Sequence, residues 1–214
     1  MISFIKRSGW LLLWLCIVFS PSIEANSIDW ETIESPHFIC MFREKDEMKA
    51  RHIIINLEMV RPTVESFVGN KSPKPVIVLE DEGILVNGYS QVLESKIGLY
   101  THYPSSYSRL SFYENWYRLV GSHELAHQYQ LSNVTGWSRW FNRVFGYSYS
   151  SQMTLPLWMI EGVAVAVESS NSPYEGRLNN GEFRMLTRSH IHSNQLTHIQ
   201  QMLPNHFQYP LGHY

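Results

Sequence analysis

The chain has 214 residues, 44% of them hydrophobic and 17% charged. That length suits one domain with at most a small second lobe, and the apolar content argues against long disorder or collagen-like repeats. Seventeen basic against nineteen acidic residues leave a net charge of −2, so no global positive field exists to hold a polyanion and no nucleic-acid partner is expected.

Lys6 and Arg7 precede an apolar run from Trp10 to Phe19, and Ile23-Glu24-Ala25 follows. A basic start, a short greasy core and a small residue at the cut are the layout of a secretory leader. The core is about half the roughly twenty residues that a membrane-spanning helix needs. Residues 1–25 are therefore expected to be a signal peptide, and 26–214 an exported domain in the periplasm, cell envelope or secreted space. No stable membrane span is expected after its removal; an uncleaved anchor is the alternative. Removal takes Cys16 with it and leaves Cys40. Cys40 lies in the apolar stretch Phe38 to Phe42 and reads as a buried small hydrophobe.

His37 to Phe42 reads as a strand. Glu44 to Phe67 reads as a long helix, with Met48, Ile55, Met59 and the Ile53-Ile54 pair at helical spacing and Pro62 expected to bend or interrupt it. Pro75 to Leu79 is a continuous apolar strand suited to a central position. Glu80 to Gly83 and Asn87-Gly88 mark loops. Ile97 to Tyr100 reads as a third strand, Tyr113 to Gln130 as a helix, and Leu157 to Glu168 as another. Strands come first and helices later, which predicts an α+β fold.

Residues 123–127 read His-Glu-Leu-Ala-His. On a helix, positions i and i+4 stand one above the other, so both imidazoles reach one metal ion. Glu124 is rotated by about 100° from His123 and can hold a water at that metal; this is the HExxH geometry of a zinc site with its general base. Trp116, Val120, His123 and His127 fall on one stripe of that helix, bordered by Leu119. Pro156 to Gly162 opens a second helix, in which Glu161 leads the apolar run Val163-Ala164-Val165-Ala166-Val167. A carboxylate leading such an apolar run is costly unless paired or bound to metal, which makes Glu161 the candidate third ligand. The small residues around it are expected to let the helix approach closely.

HELAH followed by Leu-Trp-Met-Ile-Glu-Gly-Val-Ala-Val-Ala-Val-Glu resembles the gluzincin metallopeptidases, and more narrowly the peptidase-MA-like domains of secreted bacterial proteins, some of which carry a C-terminal β-propeller. The resemblance implies that His123, His127 and Glu161 bind one Zn2+ and that Glu124 is the catalytic base. It implies a zincin-like lobe, a mixed β-sheet packed on the HExxH active-site helix, followed by a mainly helical C-terminal part. The implied function is a zinc metallopeptidase that hydrolyses peptide bonds of a peptide or protein substrate with a zinc-bound water activated by Glu124. The resembled domains continue into further helices past the point where this chain reads Tyr214, so a domain truncated at the C-terminus is one expectation. A non-catalytic, zinc-stabilised peptide- or protein-binding module of the cell envelope is the alternative function.

Members of that family place a tyrosine or histidine beyond the third ligand, where it stabilises the oxyanion; by residue type Tyr209, His213 and Tyr214 are the candidates here. Glu168, seven positions after Glu161, reads either as a partner for a ligand histidine or as a solvated helix end. Ile97, Gly98, Leu99 and Tyr100 are expected to form an edge strand that pairs with an extended substrate, or a plain structural edge. The aromatic stretch Trp137 to Tyr149, with Arg139 and Arg143, reads as an amphipathic helix packed over the lobe, or as a surface for a membrane or partner. His190, His192, His198 and His206 fit no ordinary metal cage, and His37, His52 and His102 read as structural.

Overall fold

The computed structural model describes residues 29–195, apart from residues 72, 82 and 147–149. The leader-like segment, His198, His206, Tyr209, His213 and Tyr214 lie outside the described residues. Five strands form one mixed sheet: β1 (Trp30–Glu34), β2 (Ile39–Arg43), β3 (Val76–Glu80), β4 (Gly88–Gln91) and β5 (Lys96–Tyr100), in the order β1-β2-β3-β5-β4. The central pairs β2–β3 and β3–β5 are parallel, and the outer pairs β1–β2 and β4–β5 are antiparallel. Five helices accompany them: α1 (Glu47–Val68), α2 (Trp116–Leu131), α3 (Gly136–Phe145), α4 (Leu157–Ser170) and α5 (Gly181–His192). The fold is α+β, as the order of elements predicts.

β2 and β3 alternate as half-buried elements must, while β5 is buried on both faces at its centre. Cys40 and Phe42 of β2, Ile77 and Leu79 of β3, and Ile97 and Leu99 of β5 point into the core. Burial pushes the Cys40 thiol up to about 12, so it is inert and serves as core, as its apolar neighbours predict. The apolar face of α1 meets both the sheet and α2, and α4 packs on α2. The His123–His127 segment therefore lies on a helix held between the sheet, α1 and α4. Gly121 permits the close crossing of α1 and α2, since a Cβ there would stand 2.9 Å from Leu57 Cδ2.

Several expectations need correction. In α1 the buried stripe is Ala50, Ile53, Ile54, Leu57, Val60 and Val64. Met48, Ile55 and Met59, which share a different face, are 86%, 59% and 61% exposed. Pro62 does not interrupt the helix. It sits on the exposed side, where water can satisfy the carbonyl left without an amide partner. The helix stops at Gly69, whose φ of +71° is the left-handed cap that glycine adopts freely.

The segment Ile97, Gly98, Leu99 and Tyr100 is not an edge. It is β5, hydrogen-bonded on one side to β3 and on the other to β4. Ile97 and Leu99 are fully buried. Gly98 is there because the Tyr89 ring of β4 lies flat on it, in the space a Cβ would occupy. The terminal strand on that side of the sheet is β4. The aromatic segment also departs from the packed-helix expectation: in α3 only Ser138 is buried.

Candidate metal centre

Asn115 caps α2 through its side chain, which accepts from Arg118 N at 3.0 Å. The helix then runs without a break through the HELAH segment, and all of its residues from Leu119 to Gln130 are buried. One turn apart, the two imidazoles meet edge to face, with ring centroids 4.7 Å apart. Their Nε2 atoms are 3.1 Å from each other. Glu161, in the first turns of α4, brings Oε2 to 3.3 Å from His123 Nε2 and 3.6 Å from His127 Nε2.

Among the described residues, His123, His127 and Glu161 form the group that could hold a metal ion. A tetrahedral ion with bonds of 2.0–2.1 Å requires ligand atoms about 3.3 Å apart. The three observed separations bracket that value, so the spacing of the donors suits a small divalent cation.

In the metal-free protein the donors hold one another through protons. Burial disfavours the charged form of His123, but hydrogen bonds to Glu161 and Glu168 outweigh it and push its pKa up to about 9. The same two imidazoles hold the Glu161 carboxyl well below the usual carboxylate range. Glu124 is 6% exposed. Burial raises its pKa, and the pull of the neighbouring histidines only partly offsets that.

Glu168 is not a solvated helix end. It is 1% exposed, and its Oε2 lies 3.0 Å from His123 Nδ1. With Nε2 turned to the ligand cluster, Nδ1 carries the proton and donates it to Glu168. The other partner of Glu168 is Arg177, which the sequence reading missed. Its backbone N donates to Oε1 at 3.0 Å, Nε to Oε1 at 2.8 Å and Nη2 to Oε2 at 2.9 Å. Those bonds outweigh the cost of burial and hold the Glu168 carboxyl low.

Arg177 Nη2 also lies 2.8 Å from His123 Nδ1; with Nδ1 protonated both are donors, and they share Glu168 Oε2 as acceptor rather than bonding each other. Arg177 opens a one-turn 3-10 segment directly after Gly176. Gly176 has φ +85°, and a Cβ there would run into the Ser169 backbone. A charge count could have found this arginine. Glu161 and Glu168 sit in an apolar helix, and Arg177 is the sole Lys or Arg between Arg143 and Arg184.

These groups line a cleft of about 500 Å³, whose opposite wall is Asn87, Gly88, Tyr89 and Ser90 of the β4 segment. The strand comes so close that a Cβ on Gly88 would stand 2.8 Å from Glu124 Cγ and 2.9 Å from Val120 Cγ2. Ser90 Oγ donates to Gln128 Oε1 at 2.9 Å, fixing β4 to α2. Gly162 plays no part in a close approach, because nothing lies within 4 Å of a Cβ built there; the fully buried small residue of α4 is Ala164.

The remaining histidines take other roles or lie apart. His37 Nδ1 is 2.8 Å from Glu58 Oε2 and ties the start of β2 to α1. His192 is exposed on α5. No family model, curated protein or solved structure matches the chain.

Proposed function

We propose that the chain is a zinc-dependent metallopeptidase of the gluzincin type, with a zincin-like lobe formed by the sheet and α2. The observation that carries this reading is the near-equilateral triangle of His123 Nε2, His127 Nε2 and Glu161 Oε2, with sides of 3.1, 3.3 and 3.6 Å, beside the buried carboxylate of Glu124. Two imidazoles and one carboxylate are a donor set that favours zinc over magnesium or calcium, which prefer all-oxygen ligands. When bound, the ion supplies Lewis-acid polarisation of a carbonyl and a water of pKa about 7.

The chain's own residues supply the rest. Glu168 and Arg177 fix the ring of His123, so its Nε2 faces the triangle without searching. Glu124 takes the proton of the attacking water and returns it to the leaving amine. The free side of β4 is the place for an extended peptide, which would add to the sheet by main-chain hydrogen bonds. Gly88 lets β4 lie directly against the Glu124 side chain, which brings that strand close to the proposed base. The leader-like residues 1–25 favour an exported protein that acts on peptides or proteins in the periplasm, cell envelope or secreted space.

The test is elemental analysis of the purified protein together with cleavage of a peptide library. One zinc per chain is expected, with cleavage that chelation abolishes and zinc restores. Glu161→Ala is expected to lose both. A wild-type protein that takes up no zinc overturns the reading. One zinc without cleavage moves it to a non-catalytic, zinc-stabilised binding module.

A further inference from the structure

The helix α3 turns its apolar side away from the protein. Trp137, Trp140, Phe141, Val144 and Phe145 occupy positions i, i+3, i+4, i+7 and i+8, one continuous stripe. Trp137, Trp140, Val144 and Phe145 are 67%, 58%, 55% and 64% exposed. The rings form a row, with centroids 5.4 Å apart between Trp137 and Phe141 and 4.8 Å apart between Phe141 and Phe145. The side that meets the protein is polar: Ser138 is the one buried residue of the helix, and its hydroxyl donates to Thr135 O at 2.7 Å. Leaving such a stripe in water is costly, and the helix, at ten residues, is far too short to span a bilayer.

The charge around the stripe selects what covers it. From Leu125 to Ile160 the chain has no Asp or Glu, and its only Lys or Arg residues are Arg139 and Arg143. Arg143 is exposed. Arg139 Nε donates to Val134 O, which leaves the outer part of its guanidinium for another partner. A second copy docked through the same face would bring arginines together with no carboxylate from this segment to pair them. An anionic lipid surface complements both features, with acyl chains for the stripe and phosphates for the arginines.

We propose that α3 is a peripheral anchor that lies in the interface of an anionic bilayer, with the aromatic stripe below the headgroups and Arg139 and Arg143 among the phosphates. It begins five residues after Leu131, which lines the cleft. That distance is at most about 18 Å of extended chain, so anchoring holds the cleft close to the membrane surface. The proposal does not depend on the metal reading.

Hydrogen exchange of the full chain tests it locally, so the apolar run near the N-terminus cannot supply the result. The probes are vesicles of phosphatidylcholine alone and of phosphatidylcholine with phosphatidylglycerol. Amides of α3 are expected to gain protection with phosphatidylglycerol vesicles, to gain less with phosphatidylcholine alone, and to lose the gain in high salt. Trp137→Ser with Trp140→Ser is expected to abolish the gain while exchange in α2 stays unchanged. Arg139→Gln with Arg143→Gln is expected to weaken binding roughly thirty-fold. Unchanged exchange of α3 on adding anionic vesicles overturns the proposal. So does protection without lipid that already equals the level with anionic vesicles, whether it grows with protein concentration, as for a self-docked pair, or does not, as for a face covered by this chain's own tail.

Discussion

His123 and Glu168 form a buried pair, Nδ1 to Oε2 at 3.0 Å, that turns the opposite nitrogen of the ring toward His127 and Glu161. A carboxylate in that position orients an imidazole ligand and raises its basicity. Glu168→Gln keeps the shape but loses the charge and, with the amide nitrogen in place of Oε2, the acceptor for His123 Nδ1 and Arg177 Nη2. Zinc affinity is expected to fall on the order of 10- to 100-fold, measured by competition with a chromophoric chelator. Unchanged affinity means that Glu168 serves only to pair Arg177.

Gly88 sets the distance between β4 and the proposed base. A methyl group there would meet Glu124 Cγ at 2.8 Å and Leu99 Cδ2 at 3.0 Å. Gly88→Ala is expected to push Glu124 or the strand aside. Because a misplacement of about 1 Å can cost on the order of 10²-fold in rate, kcat/KM for a cleaved peptide is expected to drop by that order while zinc content stays at one per chain. A variant with wild-type kcat/KM shows that β4 yields freely.

Gly176 delivers Arg177 to Glu168. Alanine at φ +85° is strained and also collides with the Ser169 backbone, a cost of at least about 1 kcal/mol. Gly176→Ala is expected to lower the midpoint of thermal unfolding and to weaken zinc binding in the same direction as Glu168→Gln. Loss of stability with unchanged zinc affinity separates the turn from the site.

The proton that a zinc ion would have to displace under the proposed function gives a pH signature. His123 has its pKa raised from 6.5 to about 9 in the metal-free protein. Its contribution to the stability of the metal-free fold is therefore fully present below pH 6.5 and is lost as pH rises through about 9. Zinc competes with the same proton, so apparent zinc affinity is expected to rise by about tenfold per pH unit below pH 9 and to level off above it. Calorimetry in buffers of different ionisation enthalpy reads the release directly, as about one proton per zinc near neutral pH. No proton release there contradicts a charged His123.

The centre of the site was legible because helical spacing is local. His127 stands four positions after His123, and one apolar helix carries Glu161, so a periodic pattern and a solvation cost pointed to all three. What lay beyond depended on long-range packing. Arg177 reaches Glu168 from a one-turn segment that has no periodicity to read. β4 is four residues long with one buried residue, and Asn87-Gly88 resembles a plain turn. β1 is exposed along nearly its whole length and shows no alternation of apolar and polar residues. In α1 two apolar stripes competed, and composition alone could not tell Met48, Ile55 and Met59 from the true core face. The edge-strand expectation for β5 failed because its partner β4 was unseen.

The most direct test of the central claim is the pair of measurements on Glu124→Gln: zinc bound per chain, and the rate of hydrolysis of a peptide that the wild type cleaves. One zinc per chain with hydrolysis lost is the result this account predicts. Hydrolysis at the wild-type rate, or loss of the zinc together with the base, contradicts it.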